Sequence, residues 1–455
     1  MAAKVFIGAG AGFAGDRTDA AGPLVEALAS CDGARFLMFE TLAERTLALA
    51  QLERRRDANR GYNPALERFI SPILARCVAA GIKIVGNFGS ANPPAAAQRI
   101  AAIAKGLGLK PPRIAIVEGD DLIGRITPAE LAVRETGSAL LAPAREIISA
   151  NLYLGAQPIA QALDQGADIV VTGRVADSAL ALGPLMHAFG WRADDWDRLA
   201  AGTLAGHLLE CGAQITGGYF ADPGTKDVPN IAELGYPIAE VDADGGIVIG
   251  KPKGTGGRVD RQTVVEQLLY EIHDPAAYLA PDVVLDISDV TVAEIGQDRV
   301  RITGARGKPA PETLKAIVCV DGGVLGEAEI SYAGPNAAAR AQLAADIVLQ
   351  RMRQRAPALA IRVDAIGAVS VFGSSDAVPN LPASHATDIR LRFAAQAASQ
   401  AEIDILLDEV EALYCAGPAG GAGVRRRTTP RLASASCLIE RQFAHPRVVM
   451  LGAGA

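Results

Sequence analysis

The sequence lacks three patterns that mark common classes of protein. It has no CxxC pair among its six cysteines, no apolar run long enough to span a bilayer, and no basic stripe interleaved with aromatic residues. The first absence favours reduced thiols over a zinc or disulfide framework. The second argues against a membrane-spanning helix and the third against nucleic-acid binding. The net charge of −7 also argues against binding to anionic membranes.

What the sequence does have is a large apolar fraction. Half of its 455 residues are hydrophobic and 21% are charged, so it can form large cores. The N-terminal "MAAKVFIGAG" lacks the charged and apolar segments of a signal peptide and is read as a first strand. Together with the scattered cysteines, this predicts a cytoplasmic protein of two or three domains.

The first half of the chain alternates short apolar runs with helical patterns such as Pro64–Ala80, which is typical of a parallel sheet with crossover helices. The predicted strands are Lys4–Gly8, Arg35–Glu40, Ile82–Asn87, Arg113–Glu118 and Ala167–Thr172. We therefore expect an α/β fold with an open, mostly parallel sheet in the N-terminal half, followed by an α+β second domain.

The second half of the sequence differs in composition and in pattern. Glycine and proline become frequent, and alternating strands replace the regular strand and helix pattern. Two of these strands, Ala239–Asp242 and Ile247–Lys251, flank "DADGG", which is a hairpin signal. The glycine-rich stretch Ala416–Arg427 is expected to be a loop. We place an α/β domain with a ligand crevice at residues 1–225 and an α+β domain at residues 226–455.

The first predicted strand runs into a glycine-rich loop, "GAGAGFAGDR". Such a loop can bring backbone amides close to an anion, so Gly10 and Gly12 are candidate substrate-binding residues. Glu40 at the end of the next strand would suit a dinucleotide. However, Asp16 and Asp19 crowd the start of the helix and would repel a pyrophosphate. A tight strand–helix turn is the favoured alternative, and the sequence argues against NAD(P).

Polar side chains follow all five predicted strands. Ligands of open parallel sheets bind outside the carboxyl ends of the strands, so we predict one crevice there. Some of these residues, such as Thr41 and Asp177, could instead be simple helix caps. The candidate catalytic residues are Glu40, Glu118, Arg174 and Asp177. The candidate substrate-binding residues are Thr41, Asn87, Asn92 and Thr172, together with Asn151 and Tyr153 of "NLYLGA".

Among these residues, Arg174 is the one least suited to cap a helix. A guanidinium group can bind a carboxylate or phosphate through two parallel hydrogen bonds. We expect Arg174 to pair with a carboxylate or thioester oxygen of the substrate, and Asp177 to hold its orientation. The alternative is an internal ion pair that joins the strand to the following helix.

A later helical stretch, "LAGHLLECGAQITGGYF", places His207 and Glu210 on one face. The two side chains could form an acid–base pair or bind a divalent metal, and His207 is the fifth catalytic candidate. The stretch lacks the second histidine of an H-E-x-x-H site. His207 and Glu210 are therefore weak metal candidates, a structural histidine is the alternative, and the cofactor stays open.

Several longer motifs point to a known family. "GAGFAGDR", "FETLAERTLALAQL", "TGRVADSALALGPL", "GHLLECGAQITGGYF" and "QLLYEIHDPAAYLAPDV" together resemble the acyclic terpene utilisation protein AtuA family, from about residue 4 to the C-terminus. The resemblance implies a cytoplasmic protein of bacterial citronellol- or geraniol-type terpene catabolism, a route through acyl-CoA thioesters. It supplies no catalytic residues. Because some members carry a further small domain, a small partner subunit is a further expectation.

These observations predict a catabolic lyase or hydro-lyase, expected to form a homo-oligomer, that acts on a branched acyl-CoA or hydroxy acid. Its chemistry requires a base, for which Glu40, Glu118 and Asp177 are candidates. It also requires a donor to the enolate oxygen, for which Arg174, Asn87 and the glycine loop are candidates. The alternatives are a non-catalytic acyl-CoA-binding or scaffold subunit and a nicotinamide-dependent oxidoreductase.

Overall fold

The computed structural model describes residues 3–137, 139–141, 146–373, 381 and 385–452. The described residues form two compact units. One unit comprises the residues up to Cys319 together with those from Ser434, and the other comprises Val320–Ala433. This division differs from the boundary expected after residue 225, because residues 226–319 belong with the first unit. Within the described residues, no helix is both long and apolar enough to cross a membrane.

The strands vary in length from two residues to twenty-one. In chain order they are β1 (Lys4–Ala11), β2 (Ala34–Phe39), β3 (Lys83–Gly86), β4 (Ile114–Glu118), β5 (Glu135–Thr136), β6 (Ile147–Leu152), β7 (Ile169–Thr172), β8 (Ile238–Asp242), β9 (Ile247–Gly250), β10 (Tyr278–Leu279), β11 (Val284–Asp286), β12 (Thr291–Gly296), β13 (Arg299–Thr303), β14 (Arg306–Lys308), β15 (Thr313–Ala333), β16 (Ile361–Ile366), β17 (Asp388–Ala397), β18 (Ala422–Glu440) and β19 (Arg447–Met450).

Ten of the helices lie in the first unit and three in the second, counted over the described residues. They are α1 (Ala21–Ala29), α2 (Glu44–Arg56), α3 (Leu66–Ile70), α4 (Leu74–Ala80), α5 (Pro93–Gly106), α6 (Pro128–Val133), α7 (Gln157–Asp164), α8 (Ala179–Phe189), α9 (Trp196–Glu210), α10 (Arg261–Leu269), α11 (Ala337–Arg355), α12 (Gln400–Glu411) and α13 (Leu413–Ala416). Short 3₁₀ turns span Gly212–Thr216, Ile231–Glu233 and Arg441–Phe443.

A ten-stranded mixed sheet forms the framework of the first unit. Its order is β12-β13-β9-β8-β1-β2-β3-β7-β4-β19. The five strands predicted in the first half are all parallel and adjacent, in the order β1-β2-β3-β7-β4, which confirms the α/β prediction. Antiparallel strands extend both sides, since β8 pairs with β1 and β19 with β4.

The predicted hairpin around "DADGG" is confirmed as β8 and β9. It belongs to this sheet and not to a separate domain, because its first strand pairs with β1. This pairing is the physical reason why the first unit continues beyond residue 225. On one face of the sheet, apolar side chains pack into a core that includes Leu24, Phe39, Phe69, Ile84 and Ile100.

The second unit is a sheet covered by helices on one face. Strands β15, β16 and β17 pair antiparallel, and their apolar side chains pack with α11 and α12 around Ile330, Leu391 and Phe393. This confirms an α+β arrangement in the C-terminal half of the chain. The expectation of a loop over Ala416–Arg427 was wrong in part, because β18 begins at Ala422.

Candidate functional site

The carboxyl ends of the parallel strands meet at one edge of the first unit's sheet. Glu40 follows β2, Asn87 follows β3, Asp120 lies two residues beyond β4, and Arg174 lies two residues beyond β7. These residues are buried, and hydrogen bonds through the backbone of Leu42 connect Glu40 with Arg174. We call this group, together with Asp177, the strand-end cluster.

Arg174 is an internal cation. Only 1% of its side chain is exposed. Its guanidinium group donates to the carbonyl oxygens of Leu42 and Val175 and to the Asp177 carboxylate. One face of the group lies 4.4 Å from the centre of the Tyr153 ring, a favourable cation–π distance. Most of its N–H donors are therefore used within the protein, and one Nη1 hydrogen remains without an acceptor among the described residues.

Asp177 is the more open partner of this pair, with 35% of its side chain exposed. One oxygen, Oδ1, accepts from Arg174, whereas Oδ2 has no hydrogen bond to a described residue. Partial burial raises the pKa of Asp177 to about 6; the charge of Arg174 opposes this rise and the charge of Glu210 adds to it. Asp177 therefore changes its protonation state close to neutral pH, which suits a group that takes up or releases protons.

Glu40 belongs to a buried hydrogen-bond network. Its Oε1 accepts from the Leu42 amide and from Asn87 Nδ2, both at 2.8 Å. Asn87 Oδ1 accepts in turn from the Thr41 amide at 2.7 Å. Burial, with a contribution from the charge of Asp177, raises the pKa of Glu40 well above its ordinary value. Because Oε1 already accepts two hydrogen bonds, the acid proton of Glu40 belongs on Oε2.

Asp120 is a further buried carboxylate, and it supports the loop that carries Arg174. Its Oδ2 accepts from the Arg174 amide at 3.0 Å and from Asn151 Nδ2 at 2.8 Å. Burial raises the pKa of Asp120 to about 6. A Cβ at position 173 would lie 2.8 Å from Asp120 Oδ1, so any larger residue there would displace this carboxylate. Asp120 was not among the candidates, although it lies in the same strand-end segment as Glu118.

Glu118 was the candidate chosen from that segment, and the structure places its carboxylate elsewhere. Its side chain lies 3.5 Å from the guanidinium group of Arg447 on β19. Strand β19 pairs with β4 in the sheet, so Glu118 faces this neighbouring strand. The sequence could not reveal this partner, which lies more than 300 residues later in the chain.

Tyr153 contacts two cations. The Lys315 ammonium is 4.8 Å from its ring centre, in addition to the Arg174 contact, and its hydroxyl donates to Glu44 Oε1 at 2.7 Å. Burial alone would raise the pKa of Glu44, but the bond from Tyr153 and nearby positive charge outweigh it and the pKa is lowered. Glu44 is therefore a fixed negative charge beside the strand-end cluster.

His207 and Glu210 bond to each other. His207 Nδ1 lies 2.9 Å from Glu210 Oε1, and the imidazole is almost fully buried. Burial alone would lower the pKa of His207, but the adjacent Glu210 carboxylate outweighs it and the pKa is raised. Among the described residues, no three His, Cys, Asp or Glu side chains are grouped so that they could hold a metal ion. The pair is therefore better suited to acid–base or structural work.

Helix α9 brings this pair to the strand-end cluster. A Cβ on Gly206 would lie 2.4 Å from the carbonyl oxygen of Ser178, so the helix packs directly against the turn that contains Asp177. The same packing brings the Glu210 carboxylate near Asp177, and the charge of Glu210 contributes to raising the pKa of Asp177. Tyr278, which sequence reasoning missed, lies here as well, with its ring centre 5.7 Å from that of His207.

The glycine loop after β1 has no room for a ligand beside Gly10 and Gly12, because groups of the protein itself pack there. The Gly12 amide donates to Asp16 Oδ2 at 2.7 Å. A Cβ on Gly12 would lie 2.4 Å from the Cys211 backbone, and one on Gly10 would lie 2.7 Å from the Phe39 ring. These glycines allow close packing, and Asp16 takes the position that a bound anion would need. This supports the alternative of a tight strand–helix turn.

Two of the remaining candidates have internal partners. Asn92 caps α5 by accepting from the Ala95 amide, and its Nδ2 donates to the carbonyl oxygens of Ala58 and Arg60. Thr172 donates to the Gly173 carbonyl. Apart from the strand-end cluster, a groove of about 460 Å³ runs along α10, between Phe220 and Tyr270. No sequence candidate lines it.

Comparison with known proteins gives one match. The model of the family described as "Acyclic terpene utilisation family protein AtuA" matches residues 5–450, nearly the whole chain. No curated protein and no solved structure matches the chain significantly.

Proposed function

The chain belongs to the acyclic terpene utilisation AtuA family, and from this premise we propose that it is an acid–base enzyme of acyclic terpene breakdown. In this proposal it is a lyase or hydro-lyase whose substrate is a branched acyl-CoA thioester or the related hydroxy acid. The strand-end cluster is the catalytic site.

One observation carries the proposal: two carboxyl groups in different environments flank the buried Arg174, Asp177 by a direct bond and Glu40 through the backbone of Leu42. Burial raises the pKa of Glu40 well above its ordinary value and so favours its protonated form, whereas Asp177, with a pKa of about 6, is mostly ionised near neutral pH. Pairs of titratable groups whose environments separate their pKa values are the usual basis for acid and base roles. The separation favours Glu40 as the acid and Asp177 as the base.

The proposed reaction is the elimination of water from a 3-hydroxyacyl thioester, or its reversal. Asp177 Oδ2 removes the proton from the carbon beside the carbonyl, and Glu40 Oε2 donates its proton to the leaving hydroxyl group. The products are a 2-enoyl thioester and water. After the reaction Asp177 holds the proton taken from the substrate carbon and Glu40 is ionised, its proton having left in the water molecule, and proton exchange with solvent restores both groups.

The proposal is tested by turnover of a panel of branched 2-enoyl-CoA and 3-hydroxyacyl-CoA thioesters, with and without Mg²⁺ or Mn²⁺. Asp177→Asn and Glu40→Gln should each lower kcat by about a hundredfold or more, as expected for a general acid or base. Asp194→Asn is the matched control, because Asp194 also pairs with an arginine, Arg192, but lies on the surface.

The same experiment separates the alternatives. Tight binding of a thioester without turnover by the wild-type protein would contradict the lyase and favour a binding or scaffold subunit. Nicotinamide that copurifies with the protein would favour the oxidoreductase. Unchanged kcat in both Asp177→Asn and Glu40→Gln would remove the acid–base roles.

A further inference from the structure

The proposed reaction needs a donor to the substrate carbonyl, and each of the expected donor groups already makes hydrogen bonds within the protein. Removal of a proton beside a carbonyl places negative charge on its oxygen, which requires a hydrogen-bond donor at that point. The Arg174 guanidinium is buried and bonded to Leu42, Val175 and Asp177. Asn87 Nδ2 donates to Glu40, and the Gly12 amide donates to Asp16.

Tyr278 has a hydroxyl group that is not used in this way. The hydroxyl makes no hydrogen bond to any residue that the structure describes, although the residue is partly buried. The Tyr278 ring packs against His207 on α9, and α9 packs on the turn that contains Asp177. The charges of Glu210 and Asp177 accordingly both contribute to raising the pKa of the phenol. Tyr153, the other tyrosine at the strand-end cluster, differs because its hydroxyl is bonded to Glu44.

The ring of Tyr278 is positioned by its strand pairing and by its contact with His207. It begins the short strand β10, which pairs with β11 through Leu285, and it packs against the imidazole of His207. His207 is fixed in turn by its bond to Glu210 and by Gln267, whose Nε2 donates to the His207 carbonyl at 3.1 Å. A donor whose orientation is set in advance stabilises a developing charge without reorganisation.

We propose that the Tyr278 hydroxyl donates a hydrogen bond to the carbonyl oxygen of the substrate and stabilises the oxyanion that forms when Asp177 removes the neighbouring proton. Tyr278 is then a further catalytic residue, and this inference rests on the proposed function. It gives His207 a positioning role, since its ring holds the phenol.

The chemistry of the phenol fits this role. Burial, together with the charges of Glu210 and Asp177, raises the pKa of Tyr278. The group therefore keeps its proton near neutral pH, where Asp177 is mostly ionised. Because the phenol is neutral, it adds no second cation beside Asp177, whose basicity the ion pair with Arg174 already lowers.

The test compares Tyr278→Phe with wild type, because phenylalanine keeps the ring against His207 and removes only the hydroxyl. Tyr219→Phe is the matched control, since Tyr219 is 89% exposed. Two readouts are needed on branched 2-enoyl-CoA thioesters: kcat, and the carbonyl stretching frequency of the bound thioester by infrared difference spectroscopy. We expect Tyr278→Phe to lower kcat by about a hundredfold and to abolish the downward frequency shift of the bound carbonyl, with unfolding unchanged.

The outcomes separate this inference from the proposed function. If Tyr278→Phe keeps the wild-type kcat and carbonyl frequency, the inference is overturned while the proposed function stands. If a thioester binds without turnover, the lyase proposal fails, and the carbonyl frequency alone decides whether Tyr278 contacts the substrate. If the wild-type protein neither binds nor converts any thioester of the panel, both proposals fail.

Discussion

Arg174 and Asp177 form an ion pair whose two members differ sharply in exposure. The guanidinium group is 1% exposed, whereas 35% of the Asp177 side chain can be reached by solvent. The pair thus holds a positive charge inside the protein and presents its carboxylate at the strand-end cluster. The bond between them fits the internal ion pair that the sequence left open as the alternative, and ligand binding by Arg174 stays a prediction.

The first prediction concerns Arg174 and the stability of the fold. Removing one member of a buried pair leaves its partner without compensation, so Arg174→Ala should lower the free energy of unfolding by about 3 kcal/mol or more. Arg174→Lys should also destabilise, since an ammonium group cannot reach both backbone carbonyls and Asp177. Urea unfolding measures both effects, and the exposed Arg192→Ala should leave stability unchanged. A stable Arg174→Ala protein that has lost only thioester affinity would instead support direct binding of the ligand.

The second prediction is the pH dependence of turnover. Asp177 must be ionised to act as the base, so kcat/KM should rise with pH through about 6, the pKa of Asp177. The charge of Glu210 contributes to raising that pKa, so Glu210→Gln should move the rise to lower pH. Glu266→Gln is the control, because Glu266 pairs with Lys226 on the surface. An acidic limb at the same pH in Glu210→Gln and wild type would contradict the electrostatic coupling.

Much of the fold follows from local signals in the sequence. The five apolar runs of the first half become adjacent parallel strands because each is followed by a crossover segment and then by another buried run. The polar residues that follow them reach one edge for the same reason. Boundaries were less predictable: the expected helix Pro64–Ala80 is divided into α3 and α4 at Ser71–Pro72, since proline cannot donate a helical hydrogen bond.

The missed features of the candidate site depend on partners that are distant in the chain. Tyr278 packs against His207 of α9, which is distant in the chain, and nothing near "AAYLAP" indicates that contact. Likewise, β18 includes residues expected to be a loop because Val424 packs on the core of the second unit and Arg426 binds Asp408. Tertiary contacts of this kind override local composition.

The third prediction concerns Asp120 and the pH dependence of stability. Its pKa is about 6 in the folded protein and about 3.9 in an unfolded chain. Between these values the folded state binds more protons, so stability falls as pH rises from about 4 to about 6 and stays lower above that range. Asparagine does not ionise, and its amide oxygen can accept from Arg174 and Asn151.

Asp120→Asn should therefore remove part of this decline, on the order of 3 kcal/mol at most for a shift of two pH units. Urea unfolding at pH 4.5 and pH 7 measures the difference between variant and wild type. Asp194→Asn, on the surface, should leave the decline unchanged. Equal declines in Asp120→Asn and wild type would mean that Asp120 does not titrate in this range.

The fourth prediction tests the close packing of α9 against the turn that holds Asp177. Alanine favours helices over glycine by about 1 kcal/mol, so propensity alone predicts that Gly206→Ala stabilises the protein. A Cβ at this position would lie 2.4 Å from the Ser178 carbonyl oxygen and 2.5 Å from its Cα, and backbone cannot move aside as a flexible side chain can. Overpacking of this kind costs about 1–3 kcal/mol, so we expect net destabilisation in urea unfolding.

Gly22 in α1 provides the matched control, because nothing lies within 4 Å of a Cβ built there. Gly22→Ala should therefore raise stability by up to about 1 kcal/mol, while Gly206→Ala lowers it. The displaced helix should also carry Glu210 away from Asp177, which would move the acidic limb of kcat/KM to lower pH in Gly206→Ala, as in Glu210→Gln. If both alanine variants gain stability, α9 does not press on Ser178. The effect of Glu210 on Asp177 would then need another structural origin.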